Sequence, residues 1–233
     1  DPASTPPATG SQPAPIFTDI LDMVGNTPML ELNRMDTGCC RLLAKLECLN
    51  PGNSIKDRIA IAMIDAAEQD GSLKPGGHIV EATAGNTGIA LALVGTQRGY
   101  DVTVVVPDKM SEGKISHLRA MGAEVIMARS DVEKGHPDYY QEVAAGIAEE
   151  RGSFYVNQFS NEANVIAHYE TTGREIWEQT DGQIDTFVAG VGSGGTITGV
   201  GRYLRERKPD VELVLADPVG SVLAPLVNEG RPV

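Results

Sequence analysis

Lys56 lies in the segment Asn50-Pro-Gly-Asn-Ser-Ile-Lys-Asp-Arg58, a turn that leads into a helix. Ser54, with Asp57 three residues on, has the spacing of a capping box and places Lys56 in the first helical turn. The positive end of a helix disfavours a cation there and lowers the ammonium pKa, which favours a nucleophilic amine. A second candidate is Phe187-Val-Ala-Gly-Val-Gly-Ser-Gly-Gly-Thr196, a strand that empties into glycines before a helix. Gly190, Gly192, Gly194 and Gly195 let the backbone approach a ligand and aim its N–H groups at one point. The helix starting near Thr196 adds its dipole, so the loop reads as a phosphate cup. The third is Glu81-Ala-Thr-Ala-Gly-Asn-Thr-Gly88, again strand, loop and helix. It offers backbone N–H groups, the Thr83 and Thr87 hydroxyls and the Asn86 amide, donors that suit a carboxylate and a phenolic oxygen. Read singly, each has a plain alternative: a solvated surface lysine, a βα turn, an N-capped turn.

These groups hang on alternating strands and helices. Apolar runs at 42–46, 79–82, 102–106, 124–128, 154–156, 186–189 and 212–216 read as strands. Helical patterns fill 57–68, 88–98, 112–121, 139–150, 169–178 and 196–207, whereas 217–233 reads as loop. Several strands are nearly continuous Val, Ile and Ala, as expected where helices cover both faces of a parallel sheet. The pattern predicts an α/β fold with right-handed crossovers. Residues 1–15, with five prolines, read as a disordered leader.

The 233 residues are enough for a sizeable core without staples. A formal charge of -13 argues against nucleic acid and anionic membrane as partners. No apolar run approaches the roughly 18 residues that span a bilayer. Cys39, Cys40 and Cys48 make neither a disulfide framework nor a zinc pattern, so a cytoplasmic protein with no metal site is expected. A dinucleotide-binding loop would follow the first strand, whereas this glycine loop sits late. His78, His117 and His136 read as surface or loop residues, and His168 as a capping or packing residue.

An activated lysine, a carboxylate cradle and a phosphate cup together suit pyridoxal phosphate holding an amino acid. From about Ile20 onward the chain resembles the β-replacement enzymes of the fold-type II pyridoxal-phosphate proteins, cystathionine β-synthase and cysteine synthase. The resemblance rests on Val24-Gly-Asn-Thr-Pro28, Ser54-Ile-Lys-Asp-Arg58, Thr83-Ala-Gly-Asn-Thr87, His168-Tyr-Glu-Thr-Thr-Gly173 and Gly192-Ser-Gly-Gly-Thr196. It implies the tryptophan synthase β-like fold, two doubly wound three-layer αβα domains. A large cofactor-binding domain would take 16–84 and 161–233, and a small mobile domain 85–160. Lys56 would carry the cofactor as a Schiff base, and Asn86 would bond its ring oxygen. Gly192, Ser193, Gly194, Gly195 and Thr196 would hold its phosphate. Thr83, Ala84, Asn86, Thr87 and Gln158 would receive the substrate carboxylate. The family usually has Ser where this chain has Ala84, which removes one hydroxyl from that cradle.

The sequence after Lys56, Asp57-Arg58-Ile59, favours β-replacement over the dehydratases of the same fold. Asp108-Lys-Met-Ser111 and Asp217-Pro-Val-Gly-Ser-Val-Leu-Ala224 look more like cystathionine β-synthase, which condenses L-serine with L-homocysteine; cysteine synthase, using O-acetylserine and sulfide, is the alternative. A cofactor-binding but idle regulatory protein is the alternative of another class. The family works on small amino acids as homodimers. Its members continue beyond the position of Val233, where the residue facing the pyridine nitrogen is expected.

Overall fold

The computed structural model of the chain describes residues 15–83, 85–221 and 223–230. Chain order gives β1 (Met29–Glu31), β2 (Leu43–Lys45), α1 (Lys56–Asp70), β3 (His78–Ala82), α2 (Asn86–Gln97), β4 (Asp101–Pro107) and α3 (Glu112–Ala120). Then come β5 (Glu124–Ala128), α4 (Tyr140–Arg151), β6 (Phe154–Tyr155) and α5 (Glu162–Ala167). A π-helical turn (His168–Gly173), α6 (Arg174–Gln179), β7 (Thr186–Gly190), α7 (Gly195–Arg207), β8 (Glu212–Ala216) and α8 (Leu223–Glu229) complete it.

Four strands form one parallel sheet in the order β5-β4-β3-β6. Its two faces bury different residues, because side chains alternate along each strand. Ile79, Val102, Val104 and Val106 pack with Ile59, Met63 and Ile64 of α1 and with α2. Val80, Ala82 and Val105 pack on the other face with Ala144 and Ala148 of α4. Helices on both faces explain why these strands read as unbroken apolar runs. α2 is buried from Thr87 to Gly95, a helix apolar all round because it is enclosed. β7 and β8 pair in parallel as a separate two-stranded sheet beside α7, and β1 pairs with β2 antiparallel. This is the α/β architecture expected.

Several details differ from the sequence reading. β3 shares a sheet with β4, so a boundary at 84/85 would cut that sheet. The run 217–233 is not all loop: Leu223–Glu229 is helical. Pro225 sits in its first turn, where the missing N–H has no helical acceptor to lose. The helix expected over 169–178 is longer and interrupted, running from Glu162 through the π-helical turn to Gln179. β1 escapes detection because it has three residues and is held by backbone pairing. The capping box does not close: Ser54 Oγ accepts from Lys56 N (3.2 Å), but the Asp57 carboxylate turns back to Gly52 N (2.5 Å). His78 is half-buried rather than a surface residue, with Nδ1 2.8 Å from Ser153 Oγ and Nε2 2.7 Å from Thr103 Oγ1. Residues 1–14 of the leader and Ala84 of the cradle lie outside the described residues.

Candidate active site

Two strand–loop–helix turns carry the candidate groups. β3 ends at Ala82, and the loop at Thr83 and Gly85 opens α2. β7 ends at Gly190, and the loop through Ser193 opens α7. Both lie at carboxyl ends of parallel strands, where α/β proteins place their ligands.

Gly194 is the N-cap of α7, with φ +85°, a left-handed conformation that a side chain resists. Gly195 is buried, and a Cβ there would come within 2.6 Å of Asn164 Cγ. The first helical bond runs from Thr198 N to Gly194 O (3.1 Å). The N–H groups of Gly195, Thr196 and Ile197 therefore have no acceptor within the helix and face its N-terminal end. Asn164 buttresses the loop, its Nδ2 donating to Ser193 Oγ (2.8 Å) and to Gln158 O (2.9 Å). Its Oδ1 is buried without a partner among the described residues.

The second turn is wired to the same point. Thr87 Oγ1 donates to Gln158 Oε1 (2.7 Å), and Gly85 N donates to Thr83 Oγ1 (3.1 Å). Thr83, Thr87 and Gln158 are buried, while Asn86 is exposed at the first position of α2. A continuous path thus runs Thr87–Gln158–Asn164–Ser193, joining the 83–87 loop to the glycine loop.

Lys56 opens α1, half-buried, and its ammonium has no hydrogen-bond or ion-pair partner among the described residues. Burial lowers its pKa. The direction matches the sequence reading, and the burial of the side chain adds desolvation as a cause. Its charge is felt at His168, which is fully buried. His168 Nδ1 lies 3.0 Å from Thr172 Oγ1 and Nε2 lies 3.2 Å from Thr196 Oγ1. Burial first, and then Lys56, push the imidazole down to about 3, so it is neutral at pH 7. His168 thus touches Thr196 at the start of α7 and feels the charge of Lys56.

Behind Lys56, Arg58 is 1% exposed and holds two carboxylates. Nε and Nη2 donate to Glu47 (both 2.8 Å), and Nη1 and Nη2 donate to Glu175 (2.6 and 2.7 Å). Glu175 also accepts from Lys45 Nζ (2.6 Å) and Asn26 N (3.0 Å), and Thr27 Oγ1 donates to Glu47 (2.6 Å). Segments around 24–28, 54–58 and 175 thereby meet in one buried network beside the lysine. Removing Arg58 would leave the Glu47 carboxylate without a cation and Glu175 with Lys45 alone, a loss of about 3–5 kcal/mol.

The arrangement fits pyridoxal phosphate on its own terms. It has an amine whose protonated form is disfavoured, a loop whose shape excludes side chains, free N–H groups at a helix start, and buried hydroxyls and amides opposite. The sequence pattern located the lysine and both loops, and the family resemblance supplied Gln158. Both missed Asn164, Glu175 and the neutral state of His168, all of which depend on contacts across the fold.

Residues 20–233 match the family described as "Pyridoxal-phosphate dependent enzyme". Cystathionine beta-synthase of Apis mellifera is 45% identical over 214 residues, which make up 90% of this chain and 42% of that protein. Cysteine synthase 3 of Caenorhabditis elegans is 48% identical over 202 residues, 86% of this chain and 59% of that protein. The chain thus spans about two to three fifths of these curated relatives. Among solved structures, an O-ureido-L-serine synthase superposes with TM-score 0.86 at 40% identity, covering 92% of this chain and 66% of that one. With the match running over nearly all of the described residues, the chain belongs to the family of pyridoxal-phosphate dependent enzymes.

Proposed function

We propose that the protein performs β-replacement on an L-serine-type amino acid, making cystathionine from L-serine and L-homocysteine. The observation that carries the reading is the hydrogen-bonded path from the 83–87 loop through Gln158 and Asn164 to the 192–196 loop, with the half-buried, unpartnered Lys56 near enough for His168 to feel its charge. Bound pyridoxal phosphate would supply the electron sink that makes the α-proton of an amino acid acidic. Lys56 is the residue that holds the cofactor, and its amine takes the α-proton and later returns it. Its lowered pKa keeps more of that amine unprotonated near neutral pH. Gly192, Ser193, Gly194, Gly195 and Thr196 bind the phosphate through N–H groups and hydroxyls, and Asn86 bonds the ring oxygen. Thr83, Ala84, Asn86, Thr87 and Gln158 take the substrate carboxylate. The unit that closes over the substrate is the one built on the β5-β4-β3-β6 sheet, and closure excludes water.

Formation of cysteine from O-acetylserine and sulfide is the second reading, supported by the 48% identity to a cysteine synthase. The lean to cystathionine rests on Asp108–Ser111 and Asp217–Ala224 in the sequence. We assign a cytoplasmic homodimer on the family likeness; among the described residues no helix is long and apolar enough to cross a membrane.

Titration with pyridoxal phosphate should produce a visible absorbance band that shifts when L-serine is added. A band without a shift would favour a cofactor-binding regulator, and the absence of a band would remove the reading. Steady-state competition between serine with homocysteine and O-acetylserine with sulfide separates the two reactions. A clear preference for the second pair would overturn the lean and leave the class.

A further inference from the structure

The Ser193 hydroxyl stands just before the start of α7, next to the N–H groups of Gly195, Thr196 and Ile197 that have no helical acceptor. A hydroxyl has one proton and can give or receive at a given neighbour, so its use to an anion depends on which it does. Asn164 of α5 decides this. Its Nδ2 donates to Ser193 Oγ (2.8 Å) and to the backbone oxygen of Gln158 (2.9 Å). These two bonds use both protons of the carboxamide nitrogen. The Gln158 carbonyl can only accept, which fixes the end of the carboxamide that faces it; the reverse orientation would set two oxygens against each other. Ser193 Oγ therefore receives at Asn164, and its own proton has no acceptor among the described residues.

Asn164 is itself held in place. It is 2% exposed. Asn161 caps α5, its Oδ1 accepting from Ala163 N (3.0 Å) and its Nδ2 donating to Val156 O (3.0 Å). Asn164 N donates to Asn161 O (3.1 Å). On its far side Gly195 leaves the room that the carboxamide fills, since a Cβ there would meet Asn164 Cγ at 2.6 Å. A side chain locked in this way aims its N–H pair in one direction.

We propose that Asn164 is a positioning residue, which fills the accepting side of the Ser193 hydroxyl and so turns its proton toward a phosphate bound at the start of α7. The assignment rests on the reading of the 192–196 loop as the cofactor's phosphate cup. Ionised phosphate oxygens accept, and donation to them is the stronger kind of hydrogen bond, whereas a hydroxyl that faced them with its lone pairs would repel them. With its donor direction set in advance, Ser193 needs no reorientation on binding. The carboxamide that does this also anchors Gln158, whose Oε1 accepts from Thr87 Oγ1 (2.7 Å), so one residue joins both loops.

The test compares wild type, Asn164→Leu, Ser193→Ala and the double variant, each titrated by absorbance with pyridoxal phosphate and with pyridoxal, which lacks the phosphate. Leucine has the branched outline of asparagine but neither donates nor accepts. Affinity for pyridoxal phosphate should fall about tenfold in each single variant, while affinity for pyridoxal stays within about twofold. Because both residues act on one bond, the double variant should lose no more than about twofold beyond either single variant. The phosphorus resonance of the bound cofactor should move in the same direction in both. Equal losses for the two ligands in Asn164→Leu would mark a residue that only supports the fold and would overturn the proposal, as would additive losses in the double variant. Asn164→Ala, which leaves space that water can enter, repeats the comparison if the leucine variant does not fold. Unchanged affinity for pyridoxal phosphate in Ser193→Ala overturns the proposal whatever the Asn164 variants do. If wild type gives no band with pyridoxal phosphate, the functional reading fails and the proposal falls with it; a normal wild-type band with an unselective loss in Asn164→Leu removes the proposal alone.

Discussion

Lys56 is half-buried at a helix start without a partner among the described residues, a position that destabilises its charged form. An ammonium there is retained at the expense of stability, which separates a chemical residue from a structural one. Lys56→Ala should therefore lose the visible cofactor band and all turnover while its thermal midpoint is held or raised. Lys56→Arg keeps the charge but cannot bond covalently to the cofactor's aldehyde, and should be equally inactive. Absorbance, turnover and a melting curve on the three proteins check this. Full activity in either variant would move the nucleophile elsewhere. Arg58, two residues on, is the opposite kind of residue: every donor it aims inward finds a carboxylate or hydroxyl.

At the scale of elements, the glycine loop works because α7 starts where β7 stops, with Asn164 of α5 pressed against the bend. Gly195→Val would drive Cβ into the Asn164 carboxamide and displace both the helix start and the Ser193 contact. Cofactor affinity, read by absorbance titration, should fall at least tenfold with the helix content retained, a loss on the order of 1.4 kcal/mol or more. Unchanged affinity would mean a plain turn. What could be read locally follows the same lines. β3, β4 and β7 with their following helices were legible because burial on both faces or an abrupt glycine run writes itself into adjacent residues. α8 was not, because Pro225 in a first turn looks like a breaker. Nor was the Arg58–Glu175 pairing, whose partners stand 117 positions apart. Local spacing carries no record of such a contact, and the same holds for the path from Thr87 to Ser193. The direction of the Lys56 shift is readable from its place at a helix start, whereas its burial is not.

For the whole molecule, the buried ionisable groups divide by the direction of their shifts. His168, held at about 3 by burial and by Lys56, has lost protons that the unfolded chain still binds below 6.5. Burial alone would raise Glu175, but hydrogen bonds from Arg58 and Lys45 hold it down to about 2, against 4.5 unfolded. Both groups make stability rise with pH, His168 between about 3 and 6.5 and Glu175 between about 2 and 4.5. Burial acts the other way on Asp57, raised from 3.8 to about 6 despite the Gly52 N–H, and on Glu81, raised from 4.5 to about 8. Within those windows the folded state holds protons that the unfolded chain has released, so stability falls as pH rises. Between about 4 and 6.5 the two sets oppose each other. Of these four, only Glu81 titrates above 6.5 and only His168 and Glu175 below 3.8; Glu47, raised by burial but held down by Arg58, joins the acid side, and Lys56, lowered by burial, opposes Glu81 on the alkaline side. The urea midpoint should therefore be highest in the middle of this range, drop on acidification below pH 4, and drop again between pH 6.5 and 8. Glu81→Gln removes the group whose proton loss lowers stability in the upper window, so its midpoint should not fall from pH 6.5 to 8 while the acid limb is kept. An upper limb that persists in Glu81→Gln would show that another buried group loses its proton there and that Glu81 does not carry the limb.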